Sequence, residues 1–163
     1  MLLYLIPFAI ILAADQITKY MVANNMAVGD SFTLVPKFMD ITYVQNQGAA
    51  FGIFQGRKAL LVIVSLLIFA GIIGYVVRYK PRSKWIMWSL TLITAGGLGN
   101  IIDRVLLSYV RDFLDVTFTR FPVFNIADCA ITVGAIMLAL HILIGGIKDE
   151  ANYSFDGDTG CPQ

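Results

Sequence analysis

Charge is what this chain has least of. Lysine, arginine, aspartate and glutamate make up 14% of its 163 residues, against roughly a quarter in ordinary soluble domains. The 12 basic and 11 acidic residues leave a formal net charge of +1, and no run of one sign is long. Nucleic acid is therefore not an expected partner. There is one histidine, His141, and only two cysteines, Cys129 and Cys161. The cysteines lie far apart and without CxxC spacing, so no disulfide framework is indicated. Cys129 reads as a small core residue inside an apolar run. Neither HExxH nor GxSxG occurs, and Ser108 has no lysine near it in sequence. Internal repeats, linkers and low-complexity segments are missing too.

What is present is apolar length. The chain is 58% hydrophobic, with a mean hydropathy of +0.74. About 20 apolar residues cross a bilayer as a helix, and four runs qualify: Leu2–Ala23, Ala59–Val77, Trp85–Ile102 and Ile126–Ile147. The first has no basic n-region before its Leu2–Ala14 stretch, which is followed by Asp15-Gln16 rather than a small-residue cleavage site, so it reads as a retained span. Between runs two and three lies Arg78-Tyr-Lys-Pro-Arg-Ser-Lys84, with four bases in seven residues and no acid. That bias puts the loop, and by parity both termini, in the cytoplasm. Residues 24–58 and 103–125 then face the opposite side.

Both outer connections contain β-rich stretches. Phe32–Val35 and Ile41–Val44 are bounded by Gly29-Asp30, Pro36 and Asn46, and 116–119 alternates before Phe121-Pro122. The expected fold is an all-α membrane protein: a four-transmembrane-helix bundle with a small extracytoplasmic β-sheet, chiefly from the first outer loop. Residues 1–148 read as one integral membrane catalytic domain. Residues 149–163 read as a polar, disordered tail.

This orientation collects the polar residues. Asn46, Gly48, Asn100, Asp103, Arg104, Asp112, Asn125 and Asp128 all fall near the outer boundary of the bilayer. Ionisable groups at membrane depth usually mark function. Two carboxyls brought close share a proton, so that one activates water while the other protonates a leaving group. Such a pair titrates as a unit. It suits peptide hydrolysis without a metal or a covalent intermediate. His141, late in run four, lies at the wrong end to join the acids, so no metal or other cofactor is expected.

Five segments occur in order: Asp15-Gln-Ile-Thr-Lys19, Asn46-Gln-Gly-Ala-Ala-Phe51, Gly99-Asn-Ile-Ile-Asp-Arg104, Val110-Arg-Asp-Phe-Leu-Asp115 and Phe121-Pro-Val-Phe-Asn-Ile-Ala-Asp128. Together they resemble the lipoprotein signal peptidase (signal peptidase II) family of bacterial intramembrane aspartyl proteases, over about residues 5–147. The resemblance implies removal of signal peptides from prolipoproteins, with cleavage N-terminal to a diacylglyceryl-modified cysteine. It implies a multi-pass protein of the bacterial cytoplasmic (inner) membrane with its active site near the outer face; a monomer among membrane lipids is the expected state. It puts the catalytic aspartates at Asp112 and Asp128, and substrate-binding residues at Asn46, Gly48, Asn100, Arg104 and Asn125. Asp15, Lys19, Asp103 and Ala127 fall in supporting positions. Arg111 departs from the usual valine of the family, and its side chain should point away from Asp112 in an extended segment.

Plainer readings stand beside these. Asn125 and Asp128 have the spacing of a capping box. Asp103 and Arg104 suit a local ion pair, with Asp103 structural and Arg104 aimed at substrate. Asp15 and Lys19, at i and i+4, form an intrahelical pair that also supports the substrate channel or serves only itself. Asp115 rivals Asp112 on spacing alone. Competing functions are a small proton-coupled carrier and a non-catalytic lipoprotein-binding membrane protein.

Overall fold

The computed structural model describes residues 2–48 and 56–145; the Asn46–Phe51 segment is therefore followed only as far as Gly48, and the tail, with Cys161, lies outside the described residues. Four helices are long and apolar enough to cross a membrane: α1 Leu2–Asn25, α2 Lys58–Tyr79, α3 Lys84–Leu107 and α4 Ile126–Leu143. Each lies where an apolar run was read. The shortest, α4 at 18 residues, still spans about 27 Å. α3 runs five residues past the expected end, which brings Asp103 and Arg104 onto its last turns. α4 stops at Leu143, earlier than the expected Ile147.

α3 is the hub, packed against α4, α1 and α2. Small residues make this approach close. A Cβ on Gly134 would stand 2.8 Å from the Ser89 carbonyl oxygen and 2.9 Å from Leu92 Cβ, so only glycine lets α4 lie against α3 here. α2 buries no residue of its own. Its first residue ties it to the bundle: Lys58 Nζ donates to the Val105 carbonyl at 3.2 Å and to Ser108 Oγ at 3.1 Å. A lysine at the carbonyl end of a helix also suits the helix dipole. Between α2 and α3, Lys80 closes the first helix in the left-handed region (φ 45°) and Ser83 caps the second through its side chain.

Three strands sit at the other end: β1 Ser31–Val35, β2 Met39–Asn46 and β3 Val110–Val116, antiparallel in the order β1-β2-β3. The hairpin of the first two matches the sequence reading. The third strand corrects it. Residues 117–120 form a turn, and the strand lies earlier, at 110–116. Ser108, left-handed at φ 73°, ends α3, so the chain turns straight into pairing with β2 in the register Asn46↔Val110 and Val44↔Asp112. The sheet thus draws on both long connections, not the first alone. Its third strand carries Asp112.

Candidate active site

Asp112 and Asp128 reach the same place from different elements. Asp112 points from β3 and is 2% exposed. Asp128 occupies the first turn of α4, two residues after Ile126. That helix begins with a full capping box: Asn125 Oδ1 accepts from the Asp128 N–H at 2.9 Å, and Asp128 Oδ2 accepts from the Asn125 N–H at 3.3 Å. The box fixes the direction of the Asp128 side chain.

The same asparagine reaches the other acid. Asn125 Nδ2 donates to Asp112 Oδ1 at 2.6 Å and to Asn100 Oδ1 at 3.2 Å. Asn100 Nδ2 donates to Asp128 Oδ1 at 2.8 Å. Asn46 Nδ2, at the end of β2, donates to Asp112 Oδ2 at 3.0 Å. Three amides therefore hold two carboxyls, and Asn125 engages both. Asn46 Oδ1 accepts from the Gly48 N–H at 2.9 Å, forming a local turn, and the Gly48 carbonyl accepts from Arg104 Nη2 at 3.1 Å.

Behind them lies a buried layer of charge. Lys19 and Asp15 are 0% exposed and pair at 2.9 Å. Lys19 Nζ also donates to Asn100 Oδ1 at 2.9 Å and stands 3.8 Å from Asp103. Asp15 Oδ1 accepts from the Ala127 N–H at 2.9 Å, which ties the start of α4 to α1. The Asp15–Lys19 pair is thus part of a network spanning three helices. Asp103 accepts from the Arg111 backbone N–H at 3.0 Å, from its Nε at 3.1 Å and from its Nη2 at 2.7 Å. Arg111 does point away from the Asp112 carboxyl, as extended backbone requires.

Burial pushes the Asp112 carboxyl up to about 7; the Asp128 charge pushes the same way, and hydrogen bonds from Asn46 and Asn125 oppose it. The bond to Asp103 holds the Arg111 guanidinium above its usual value. A carboxyl displaced in this way beside a second acid, at a cavity, makes this a candidate acid–base site.

A cavity of about 530 Å³ opens here, with Asn46, Asn100, Arg104, Asp112 and Asp128 on its polar side. Phe121, Pro122, Val123 and Val133 make an apolar wall, together with Cys129, which is exposed rather than in the core as expected. The cysteine lies one residue after Asp128 on α4, which turns it toward the opening. Asn125 is fully buried behind the acids. Two participants were not anticipated. Gln16 Nε2 donates to Asp15 Oδ2 at 3.0 Å and to the Gly99 carbonyl at 3.1 Å, while its Oε1 accepts from Arg111 Nη2 at 3.2 Å. Arg111 was singled out only as a departure. Its place opposite Asp103, eight residues earlier and across a helix-to-strand turn, had no local signal. Asp115 lies on the opposite face of the sheet, where Thr42 Oγ1 donates to it at 2.9 Å, so it does not rival Asp112.

The family model described as Signal peptidase (SPase) II matches residues 7–144. A lipoprotein signal peptidase of Clostridium novyi (strain NT) is 41% identical over 145 residues, covering 87% of this chain and 97% of the relative. One from Streptococcus pneumoniae (strain ATCC BAA-255 / R6) is 38% identical over 143 residues, covering 88% and 91%. Among solved structures, a bacterial membrane enzyme superposes with a TM-score of 0.83 at 33% identity, covering 100% of this chain and 95% of the other.

Proposed function

This chain belongs to the signal peptidase II family, and we propose that Asp112 and Asp128 are the pair with which it hydrolyses its substrate. The protein is a membrane protease that removes signal peptides from prolipoproteins. In our reading it cuts N-terminal to the diacylglyceryl-modified cysteine, acts as a monomer among the lipids of the bacterial cytoplasmic membrane, and keeps both termini in the cytoplasm, with the sheet on the outer face.

A water between the acids attacks the scissile carbonyl carbon and gives its proton to the ionised carboxylate. The protonated partner donates to the amide nitrogen as the C–N bond breaks, releasing the signal peptide with a terminal carboxylic acid and the modified cysteine with a free amine, the two aspartates having exchanged protonation states. Arg104 and Asn46 face the cavity and position the substrate backbone, with the Gly48 carbonyl holding the guanidinium in place. Asn100 and Asn125 aim the acids. The substrate's acyl chains fit the apolar wall. Anchoring by lipid supplies position as well as affinity, which removes much of the entropic barrier.

The observation that carries this reading is the side chain of Asn125, hydrogen-bonded at once to Asp112 and to the capping box of Asp128. A proton-coupled carrier would need ionisable groups along the depth of the membrane, whereas these cluster at one end. The test is cleavage of a diacylglyceryl-modified prolipoprotein by purified protein in lipid nanodiscs, with chelator present. D112N and D128N should each lose at least roughly a hundredfold in turnover while inserting normally. Near-normal turnover by either variant would remove the pair.

A further inference from the structure

Behind the cavity, one lysine stands between two carboxylates. Lys19, Asp15 and Asp103 are all fully buried. Lys19 Nζ bonds Asp15 Oδ2 at 2.9 Å but stands 3.8 Å from Asp103 Oδ2, beyond hydrogen-bond reach. Asp103 is held instead from β3. The Arg111 backbone N–H, Nε and Nη2 all donate to it, the shortest bond at 2.7 Å. A planar fork of this kind engages both oxygens of a carboxylate, which a single ammonium does not. The guanidinium is itself only 12% exposed.

That clamp decides where the remaining donor of the lysine goes. With Asp103 satisfied, Lys19 donates to Asn100 Oδ1 at 2.9 Å. Asn125 Nδ2 donates to the same oxygen at 3.2 Å. Two donors on Oδ1 leave one orientation of the Asn100 amide, with Nδ2 toward Asp128 Oδ1 at 2.8 Å. Without the guanidinium, one ammonium would serve two buried carboxylates, Asp15 and Asp103. Lys19 would then be drawn across the gap to Asp103 and away from Asn100.

The guanidinium acts on α1 in the same way. Nη2 also donates to Gln16 Oε1 at 3.2 Å. An arginine only donates and an ionised aspartate only accepts, so the Gln16 amide is turned with Nε2 on Asp15 Oδ2 and on the Gly99 carbonyl. Arg111 immediately precedes Asp112 on β3. Its grip on Asp103 therefore pins the strand that carries one acid, while the relay through Lys19 and Asn100 aims the other.

We propose that Arg111 is a positioning residue for the acid pair: by clamping Asp103 it keeps Lys19 on Asn100 and Asn100 on Asp128, and it anchors β3 at Asp112. It acts through these groups and is not among the described residues that line the cavity. The proposal rests on the reading of Asp112 and Asp128 as the catalytic pair. The charged and titratable groups around that pair are Asp15 and Lys19 on α1, Asp103 and Arg104 on α3, and Cys129 on α4. Tyr43 and Tyr109 flank Arg111.

The test compares R111M, R111K, D103N and R111M/D103N with the parent protein in the prolipoprotein cleavage assay across pH, beside thermal unfolding of each. R111M should lower kcat by roughly tenfold to a hundredfold with KM little changed. It should also move the alkaline limb of kcat/KM upward by roughly half a unit to one unit, because the uncompensated Asp103 charge makes the pair hold its last proton to higher pH. R111K restores the charge without the fork, so its limb should match that of the parent while kcat recovers only in part. R111M/D103N removes cation and anion together, leaving Lys19 on Asn100; its limb should match that of the parent, and its kcat should exceed that of R111M. Should R111M not fold, the same substitution is read in D103N, whose limb should lie below that of the double variant. A lowered unfolding midpoint with kcat per folded molecule and the limb both at parent values would overturn the proposal. Full kcat in R111K, coincident limbs in D103N and the double variant, or a rise in KM alone would do the same. Cleavage that survives D112N or D128N would instead refute the catalytic pair, whatever Arg111 does.

Discussion

Replacing Asp112 by asparagine should make the protein more stable at neutral pH and above, and less stable only in acid, below about pH 5. The buried carboxyl is pushed up to about 7 from an ordinary value of 3.8. That is roughly three decades in proton affinity, or about 4 kcal/mol at about 1.36 kcal/mol per decade. The sign follows from linkage. Between these two values the folded chain holds the Asp112 proton while the unfolded chain has released it, so stability falls as pH rises through the window and the loss is complete above about 7. Asparagine has no such proton. It does have one acceptor where the carboxylate has two, and Asn46 and Asn125 both donate to Asp112. One amide must rotate or lose its partner, which costs about 1–2 kcal/mol. Asp112→Asn should then be slightly destabilised near pH 4.5 and, relative to wild type, gain up to about 4 kcal/mol by pH 8, with the two curves crossing between. Thermal unfolding in detergent at half-unit pH steps measures this, because all other acids except the partner Asp128 titrate alike in both proteins. Parallel curves would refute the burial and proximity on which the acid–base reading rests.

The rate should carry the same proton: kcat/KM should fall above about pH 7 as the pair loses its last one. Asn46→Leu, which removes a hydrogen bond to the ionised form, should move that alkaline limb upward; a limb left in place would mean that Asn46 does not act on Asp112. Lys19→Met should destabilise by about 3–5 kcal/mol, since it leaves Asp15 charged in a fully buried position. In a double-mutant cycle followed by thermal unfolding, Asp15→Asn should recover much of the loss while keeping an acceptor for the Ala127 N–H; simple additivity would count against the pair. Gly134→Ala should cost about 1–3 kcal/mol by forcing α4 off the Ser89 carbonyl, read as a lowered midpoint with turnover per folded molecule retained.

Much of this was legible because membrane physics simplifies reading. Apolar length located the spans, and capping spacing located the start of α4 at Asn125. The hairpin was bounded by turn residues that any reader would mark. β3 was misread because Val110–Val116 alternates poorly, with both Arg111 and Asp112 near its start; its partner, β2, lies more than 60 residues away. Cys129 was misjudged because residues of an apolar helix look alike until the neighbouring helix is known. Gln16 escaped notice for the same reason: an amide beside a charged residue signals nothing until Gly99 and Arg111 arrive from elsewhere.

The charges of the site explain why it can be buried at all. Three cations, Lys19, Arg104 and Arg111, stand with four carboxyls, Asp15, Asp103, Asp112 and Asp128. Asp15 and Asp103 balance Lys19 and Arg111 in direct ion pairs. That leaves Arg104 against the two acids of the cavity. The cluster is neutral when those acids hold one proton between them, and carries a surplus negative charge when both ionise. A site of low dielectric penalises the second state steeply. The singly protonated pair, the form able to supply a base and an acid in the same step, is therefore the form that the surrounding charges favour. By the same count, Arg104→Gln should do more than weaken substrate positioning. With the counter-cation gone, the pair should hold its second proton to higher pH, so the acid limb of kcat/KM should move upward; a change in KM alone, with that limb unmoved, would mean that the guanidinium serves only the substrate.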